Sequence, residues 1–264
     1  MLLRVRNSLF GRGMGEHEME HFFDTAETIP AGFGFSYYGG QHLLWLAVFL
    51  TVTVWSCMEY KGSGWRKRRR WQKTVAVLLV LDELFKVVML VIGGNFMLKY
   101  LPLHLCSINI FLIAIHAWRP SKLLGNFLYL VCIPGAIAAL LFPTWATLPP
   151  VNFMYIHSFT IHILLILYPV VLTAGGDIVP ERRMFPKCVL LLLVMAVPIY
   201  FFNLLGNTNF MFLMYPETGS PLLWFEEHWG NHLLGYPVLL TAVAVVMSIP
   251  TFFMGKKRHR VYRG

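Results

Sequence analysis

Seven long apolar runs constrain the fold of this chain more than any other feature. They lie at about residues 42–58, 74–92, 101–118, 123–142, 153–174, 187–205 and 233–254. A helix that crosses a bilayer needs about 20 predominantly apolar residues, and most of these runs reach that length. Only 13% of the 264 residues are charged, about half of the ~25% found in soluble domains. We therefore predict an all-α, polytopic membrane bundle of about seven transmembrane helices.

The basic residues between the runs predict an orientation. Loops one, three and five and the C-terminal tail are basic, whereas loops two, four and six hold only Lys99. Because basic loops stay in the cytoplasm, we expect an extracytoplasmic N-terminal segment at residues 1–40, a transmembrane domain at residues 41–254 and a cytoplasmic tail at residues 255–264. The basic residues are Lys61, Arg66, Lys67, Arg68, Arg69, Arg70, Lys73, Arg119, Lys122, Arg182, Arg183, Lys187, Lys256, Lys257, Arg258, Arg260 and Arg263.

The net charge of +9 does not indicate a nucleic-acid partner. Its basic residues crowd beside apolar runs, a placement typical of topology control and of contact with anionic lipid headgroups. The four cysteines lie on four different runs without a C-x-x-C pair, which argues against a disulfide framework or a zinc ribbon. We expect neither a metal nor a cofactor.

One short motif invites a zinc interpretation. The segment EHEMEHFF matches H-E-x-x-H at His17, Glu18 and His21, and two histidines four apart on a helix can bind zinc. The segment is also of low complexity, and no third ligand is evident nearby. An acidic surface helix explains it more simply.

Polar residues gather in the predicted outer half of the bundle. His104, Cys106 and Asn109 lie in the third run, and His157 and His162 lie in the fifth. Ionisable side chains are costly in hydrocarbon and mark function in membrane helices. A thiol becomes a nucleophile when an imidazole takes its proton. We therefore predict that Cys106 forms a catalytic pair with His162 or with His157. An inert, buried cysteine remains the alternative.

Further polar residues complete this candidate site. His104 points about 160° away from Cys106 on an ideal helix, and we expect it to position a neighbouring helix. Asn203 and Asn209, at the end of the sixth run, are candidates for an oxyanion or substrate-binding site, together with His104 and Asn109. Helix capping also explains amides at the end of a helix.

Three charged residues lie in the middle of the second run. Lys86 can pair with Asp82 or Glu83 at helical spacing, which leaves one acid for a histidine elsewhere. This group can serve as a proton relay or orient the catalytic histidine. It can also be a purely structural ion pair, or the proton or substrate site of a small-solute transporter.

The motifs LPLHLCSINIFL, HSFTIHILLILYPVVL and NLLGNTNFMFLMYP resemble those of YwaF-type bacterial integral membrane proteins and of their eukaryotic relative, transmembrane protein 164. The resemblance covers residues 33–250. It implies a CoA-independent phospholipid acyltransferase of the cell membrane, whose substrates are phospholipids and lysophospholipids. It also implies Cys106 as the nucleophile and His162 as the base, with Asn203 and Asn209 at the polar exit of the sixth run. A purely structural membrane protein is the remaining alternative.

Overall fold

The computed structural model describes residues 20–217 and 220–253, and all regular elements in that part of the chain are helical. The principal helices are α1 (Gly40–Lys61), α2 (Trp65–Ile92), α3 (Leu105–Trp118), α4 (Lys122–Phe127), α5 (Ile133–Leu141), α6 (Phe153–Gly175), α7 (Phe185–Gly206), α8 (Pro221–Trp229) and α9 (Gly235–Phe253). A π-helical turn, Leu128–Cys132, joins α4 to α5. Short 3₁₀ turns lie at Leu98–Tyr100, Arg182–Met184, Phe210–Phe212 and His232–Leu234.

Five of the helical stretches are long and apolar enough to cross a membrane. They are Gly40–Lys61, Lys122–Leu141, Phe153–Gly175, Arg182–Gly206 and His232–Phe252. The all-helical, multi-pass character of the chain is thereby confirmed. The second and third predicted runs are also helical, but α2 carries many charges and α3 has only 14 residues. The count of seven crossings and the orientation of the termini remain predictions.

Helix α6 lies at the centre of the bundle and packs against α1, α2, α3 and α5. In the 18-residue apolar stretch of α6, 67% of the residues are buried. The corresponding share is 11% for α1 and 6% for the last span, His232–Phe252. A helix that is apolar all round and buried is a core helix, whereas one that is apolar and exposed faces lipid. The histidines of α6 therefore lie inside the protein.

Helix α3 begins later than its apolar run predicts. The residues from Leu101 to His104 form a turn closed by a Leu103 N–H to Leu101 C=O bond of 2.8 Å, and His104 is the N-cap residue. Pro102 favours this turn because it disfavours helical geometry at the preceding residue. Cys106 thus occupies the first turn of α3, whereas a helix beginning at Leu101 would place it in the second turn.

The segment before α1 packs tightly over the end of the bundle where α6 begins. Asn152 caps α6 through its Oδ1, while its Nδ2 donates to the backbone carbonyls of His21 and Asp24 at 2.9 and 2.8 Å. A Cβ on Gly34 would lie 2.1 Å from the Ala146 carbonyl oxygen, so only glycine permits this approach. The segment is therefore an integral part of the fold.

A polar network joins helices at the opposite end of the bundle. The Tyr60 hydroxyl donates to Asp177 Oδ2 at 2.5 Å and accepts from Gln72 Nε2 at 2.7 Å. Arg68 donates to the Gly175 carbonyl at 2.8 Å and lies 3.4 Å from Asp177. These bonds connect α1 and α2 to the chain that leaves α6.

Candidate thiol and imidazole site

The thiol of Cys106 lies beside the imidazole of His162. The distance from Sγ to Nε2 is 3.3 Å, which is within hydrogen-bond reach for sulfur and typical of a nucleophile and its base. The contact joins the first turn of α3 to the middle of α6. His162 is buried, and Cys106 is partly exposed.

A backbone carbonyl determines which nitrogen of His162 faces the thiol. Nδ1 lies 2.6 Å from the Ser158 carbonyl oxygen, one helical turn earlier. Because a carbonyl oxygen only accepts, Nδ1 must carry the hydrogen, and neutral His162 presents the lone pair of Nε2 to the thiol. This tautomer can take a proton from Cys106.

Aromatic packing fixes the plane of the His162 ring. The Trp145 ring stacks on it with centroids 5.1 Å apart and an interplanar angle of 14°, and Phe159 packs edge-on against Trp145. Trp145 belongs to the connection between α5 and α6. The imidazole is therefore held in place by the hydrogen bond of Nδ1 and by the stacking of Trp145 on its ring.

The first turn of α3, which contains Cys106, begins with backbone N–H groups that no side chain caps. The first N–H groups of any α-helix lack an intrahelical acceptor. The N–H groups of Leu105, Cys106 and Ser107 are in this position. Together with the positive end of the helix dipole, they suit a negative charge that develops next to Sγ.

His157 contacts carboxylates instead of the thiol. Its Nδ1 lies 3.4 Å from Asp82 Oδ2, and its Nε2 lies 3.8 Å from Glu83 Oε2. Lys86 pairs with Glu83, and the Ser107 hydroxyl lies 3.4 Å from Glu83 Oε1. Two carboxylates thus share one ammonium and one imidazole. Ser107, which contacts this charged group, directly follows Cys106 in the sequence.

Two other predicted residues of α3 differ in their surroundings. The His104 ring, at the N-cap of α3, contacts Phe210 and Phe212, with centroid separations of 5.1 and 5.7 Å. Asn109 lies one turn beyond Cys106 and is buried. Its Oδ1 has no hydrogen-bond partner among the described residues.

The amides of Asn203 and Asn209 are engaged within the loop that follows α7. Asn203 donates to the Phe210 carbonyl and accepts from the Phe210 N–H, both at 2.9 Å. Asn209 donates to the Tyr215 carbonyl at 2.9 Å and accepts from the Met214 N–H at 3.0 Å. Both amides are bound to backbone groups of this loop, so the geometry does not favour the expected oxyanion role.

The zinc interpretation of H-E-x-x-H gains no support from the part of the chain that the structure describes. His17 and Glu18 lie outside the described residues, and His21 contacts Asp24 at 2.6 Å. Among residues 20–217 and 220–253, no three His, Cys, Asp or Glu side chains form a group that could hold a metal ion.

Sequence reasoning missed Ser158 and Trp145. Ser158 had a signal, because it lies four residues before His162 and a helical side chain at that spacing reaches the carbonyl one turn back. Trp145 had none, since it lies in a connection and its contact with His162 depends on the tertiary fold.

Fold and site together define a multi-pass helical membrane protein with a buried thiol–imidazole pair. A comparison with protein-family models agrees with this class. The model of the TMEM164 family matches residues 37–254, so the chain belongs to the TMEM164 family. The resemblance to transmembrane protein 164 is thereby confirmed, and kinship with YwaF-type proteins stays a prediction. No curated protein and no solved structure matches the chain.

Proposed function

We propose that the protein is a CoA-independent phospholipid acyltransferase in which Cys106 carries the acyl group and His162 moves the proton. The observation that carries the proposal is the 3.3 Å contact between Cys106 Sγ and His162 Nε2. The tautomer imposed by the Ser158 carbonyl makes Nε2 the acceptor. The phospholipid substrate comes from the resemblance described above.

In the first half-reaction the Cys106 thiol gives its proton to His162 Nε2, and the thiolate attacks the ester carbonyl carbon of a phospholipid. A C–S bond forms, and the carbonyl oxygen becomes an oxyanion beside the N–H groups at the start of α3. The ester C–O bond then breaks. The leaving lysophospholipid oxygen takes the proton from His162, and a thioester remains on Cys106.

The second half-reaction reverses these steps with a different alcohol. The hydroxyl of an acceptor lysophospholipid gives its proton to Nε2 and attacks the thioester carbonyl. The C–S bond breaks, and the thiolate recovers the proton from His162. Burial of the imidazole favours acyl transfer over hydrolysis because it limits the access of water to the intermediate.

The test is transfer of a labelled acyl chain to a lysophospholipid by the purified protein in vesicles. We expect Cys106→Ala to reduce transfer by about 1000-fold or more, as loss of a nucleophile does in other acyl enzymes. The wild-type chain should also yield an acyl group on Cys106 that hydroxylamine releases.

Cys57→Ala is the matched control, because Cys57 is a free, partly buried cysteine on α1. It should retain transfer. Full transfer by the Cys106→Ala variant would end the proposal. Solute flux in proteoliposomes that survives Cys106→Ala but fails in Lys86→Ala would favour the transporter alternative.

A further inference from the structure

The loop after α7 contains two adjacent residues in a strained backbone conformation. Met211 and Phe212 have φ angles of 57° and 55°, in the left-handed region that side chains with a Cβ disfavour. Such strain persists only where the surrounding structure holds it in place, and it collects at functional sites. We call residues 207–215 the exit loop.

Helix α9 holds the strained carbonyls of the exit loop. The Tyr236 hydroxyl lies 2.7 Å from the Met211 carbonyl oxygen and 3.2 Å from that of Phe212. His232 Nε2 lies 3.2 Å from the same Phe212 oxygen. From the other side, Asn203 of α7 binds both backbone polar groups of Phe210. The loop is therefore anchored on two helices.

The anchored exit loop presents two aromatic rings to the start of α3. Phe210 is fully buried, and its ring lies edge-on to His104 at 5.1 Å. The Phe212 ring contacts the same imidazole at 5.7 Å. His104 is the N-cap of α3, two residues before Cys106, and no side chain caps that helix by a hydrogen bond. The two rings thus pack against His104, which precedes the first turn of α3 and fixes its position.

We propose that the exit loop is a positioning device for Cys106 and that Tyr236 is its principal positioning residue. By holding Met211 and Phe212 in the strained conformation, Tyr236 keeps the two phenyl rings against His104. The first turn of α3 then places the Cys106 thiol beside Nε2 of His162. The inference uses the Cys106–His162 contact of the proposed function, but it does not depend on the identity of the substrate.

The test measures alkylation of Cys106 by iodoacetamide in the full-length, lipid-embedded protein, with the modified residue quantified by mass spectrometry. The readout is the ratio of the rate at pH 7 to the rate at pH 9.5. A high ratio shows that the imidazole removes the thiol proton at pH 7. Because both rates are measured on the same variant, differences in the access of iodoacetamide to Cys106 cancel. His162→Gln gives the ratio without a base.

We expect Tyr236→Phe to lower the ratio by about 10-fold towards the His162→Gln value, because an ångström of misplacement costs up to about 100-fold in a reacting pair. Tyr129→Phe is the matched control. It removes a hydroxyl that donates to a different carbonyl of α9, that of Met247, at 2.9 Å, and it should leave the ratio unchanged.

A second variant tests the strain directly. Glycine adopts positive φ without a steric penalty, so Met211→Gly should restore the ratio of Tyr236→Phe to within about 3-fold of wild type. An unchanged ratio in Tyr236→Phe would overturn the inference, and so would a lowered ratio that Met211→Gly does not restore. Failure of lipid acylation with these ratios intact would refute only the proposed function.

Discussion

At the scale of single residues, the protein distinguishes two histidines that are five positions apart on one helix. His162 faces a thiol and is held by the Ser158 carbonyl, whereas His157 faces Asp82 and Glu83. The residue pattern left both as candidate bases, because both lie in the predicted outer half of the fifth run. The geometry favours His162 for proton transfer and makes His157 a partner of the two carboxylates.

This distinction predicts different losses for two conservative variants. His162→Gln should slow acylation of Cys106 by about 100-fold or more, the usual contribution of a general base, with little change in stability. His157→Gln should remove the imidazole partner of the Asp82 and Glu83 carboxylates and destabilise the fold by about 3–5 kcal/mol. Acylation rates and thermal unfolding midpoints separate the two effects. If His157→Gln stops acylation without lowering the midpoint, the roles are assigned the wrong way round.

At the scale of elements, the segment before α1 connects to the chain between α2 and α3. Glu27 pairs with Lys99 and accepts a hydrogen bond from the Tyr100 hydroxyl at 2.7 Å. Burial alone would raise the pKa of the Glu27 carboxyl, but hydrogen bonds from Lys99, Tyr100 and Thr25 lower it to about 2. The Lys99–Tyr100 turn leads directly into the start of α3.

The lowered pKa of Glu27 gives this contact a defined pH dependence. A carboxyl whose pKa is lowered by folding stabilises the fold at pH values above its ordinary pKa of 4.5, and this contribution is lost as the pH falls towards 2. We expect Glu27→Gln to speed hydrogen exchange in residues 20–39 at pH 7. Acidification from pH 5 to pH 3 should speed it in wild type and not in the variant, after correction for intrinsic rates.

Glu59→Gln is the control for the Glu27 prediction. Glu59 forms an exposed ion pair with Lys67 at the other end of α1, so its loss should leave residues 20–39 unaffected. Equal exchange in wild type and Glu27→Gln at pH 7 would show that the ion pair does not fasten the segment.

At the scale of the whole molecule, the distribution of basic residues predicts opposite locations for the two ends of the chain. The basic first turns of α2 lie at the same end of the bundle as the Tyr60–Asp177 network, whereas the Cys106 site lies towards the end covered by residues 20–39. Basic loops stay in the cytoplasm, so the site should open towards the extracytoplasmic leaflet.

Labelling of introduced cysteines checks this orientation. A membrane-impermeant maleimide should label His228→Cys in intact cells, because His228 is exposed ahead of α9. Arg66→Cys, exposed in the first turn of α2, should react only after permeabilisation, and the parent chain sets the background. The reverse pattern would place the site on the cytoplasmic side.

The local pattern of the sequence was sufficient for the helical membrane fold, and it singled out Cys106 as a candidate. Apolar runs of spanning length and helical spacing are properties of neighbouring residues, so they predicted the main helices and a partner for Lys86 at either Asp82 or Glu83. The structure pairs Lys86 with Glu83. The start of α3 was misplaced, because a four-residue turn at Leu101–His104 is apolar enough to extend the hydrophobic run.

The contact between Cys106 and His162 spans 56 residues. The family resemblance implied this pair, but the residue pattern alone left His157 as an equal candidate, and the tertiary structure brings the two side chains together. The rotation of each helix about its own axis decides which side chains meet, and that rotation is set by packing of the whole bundle around α6. The same packing engaged Asn203 and Asn209 in the exit loop, stacked Trp145 on His162 and set Phe210 against His104. The hydropathy pattern can be read from neighbouring residues, whereas these contacts form between segments that are distant in the sequence.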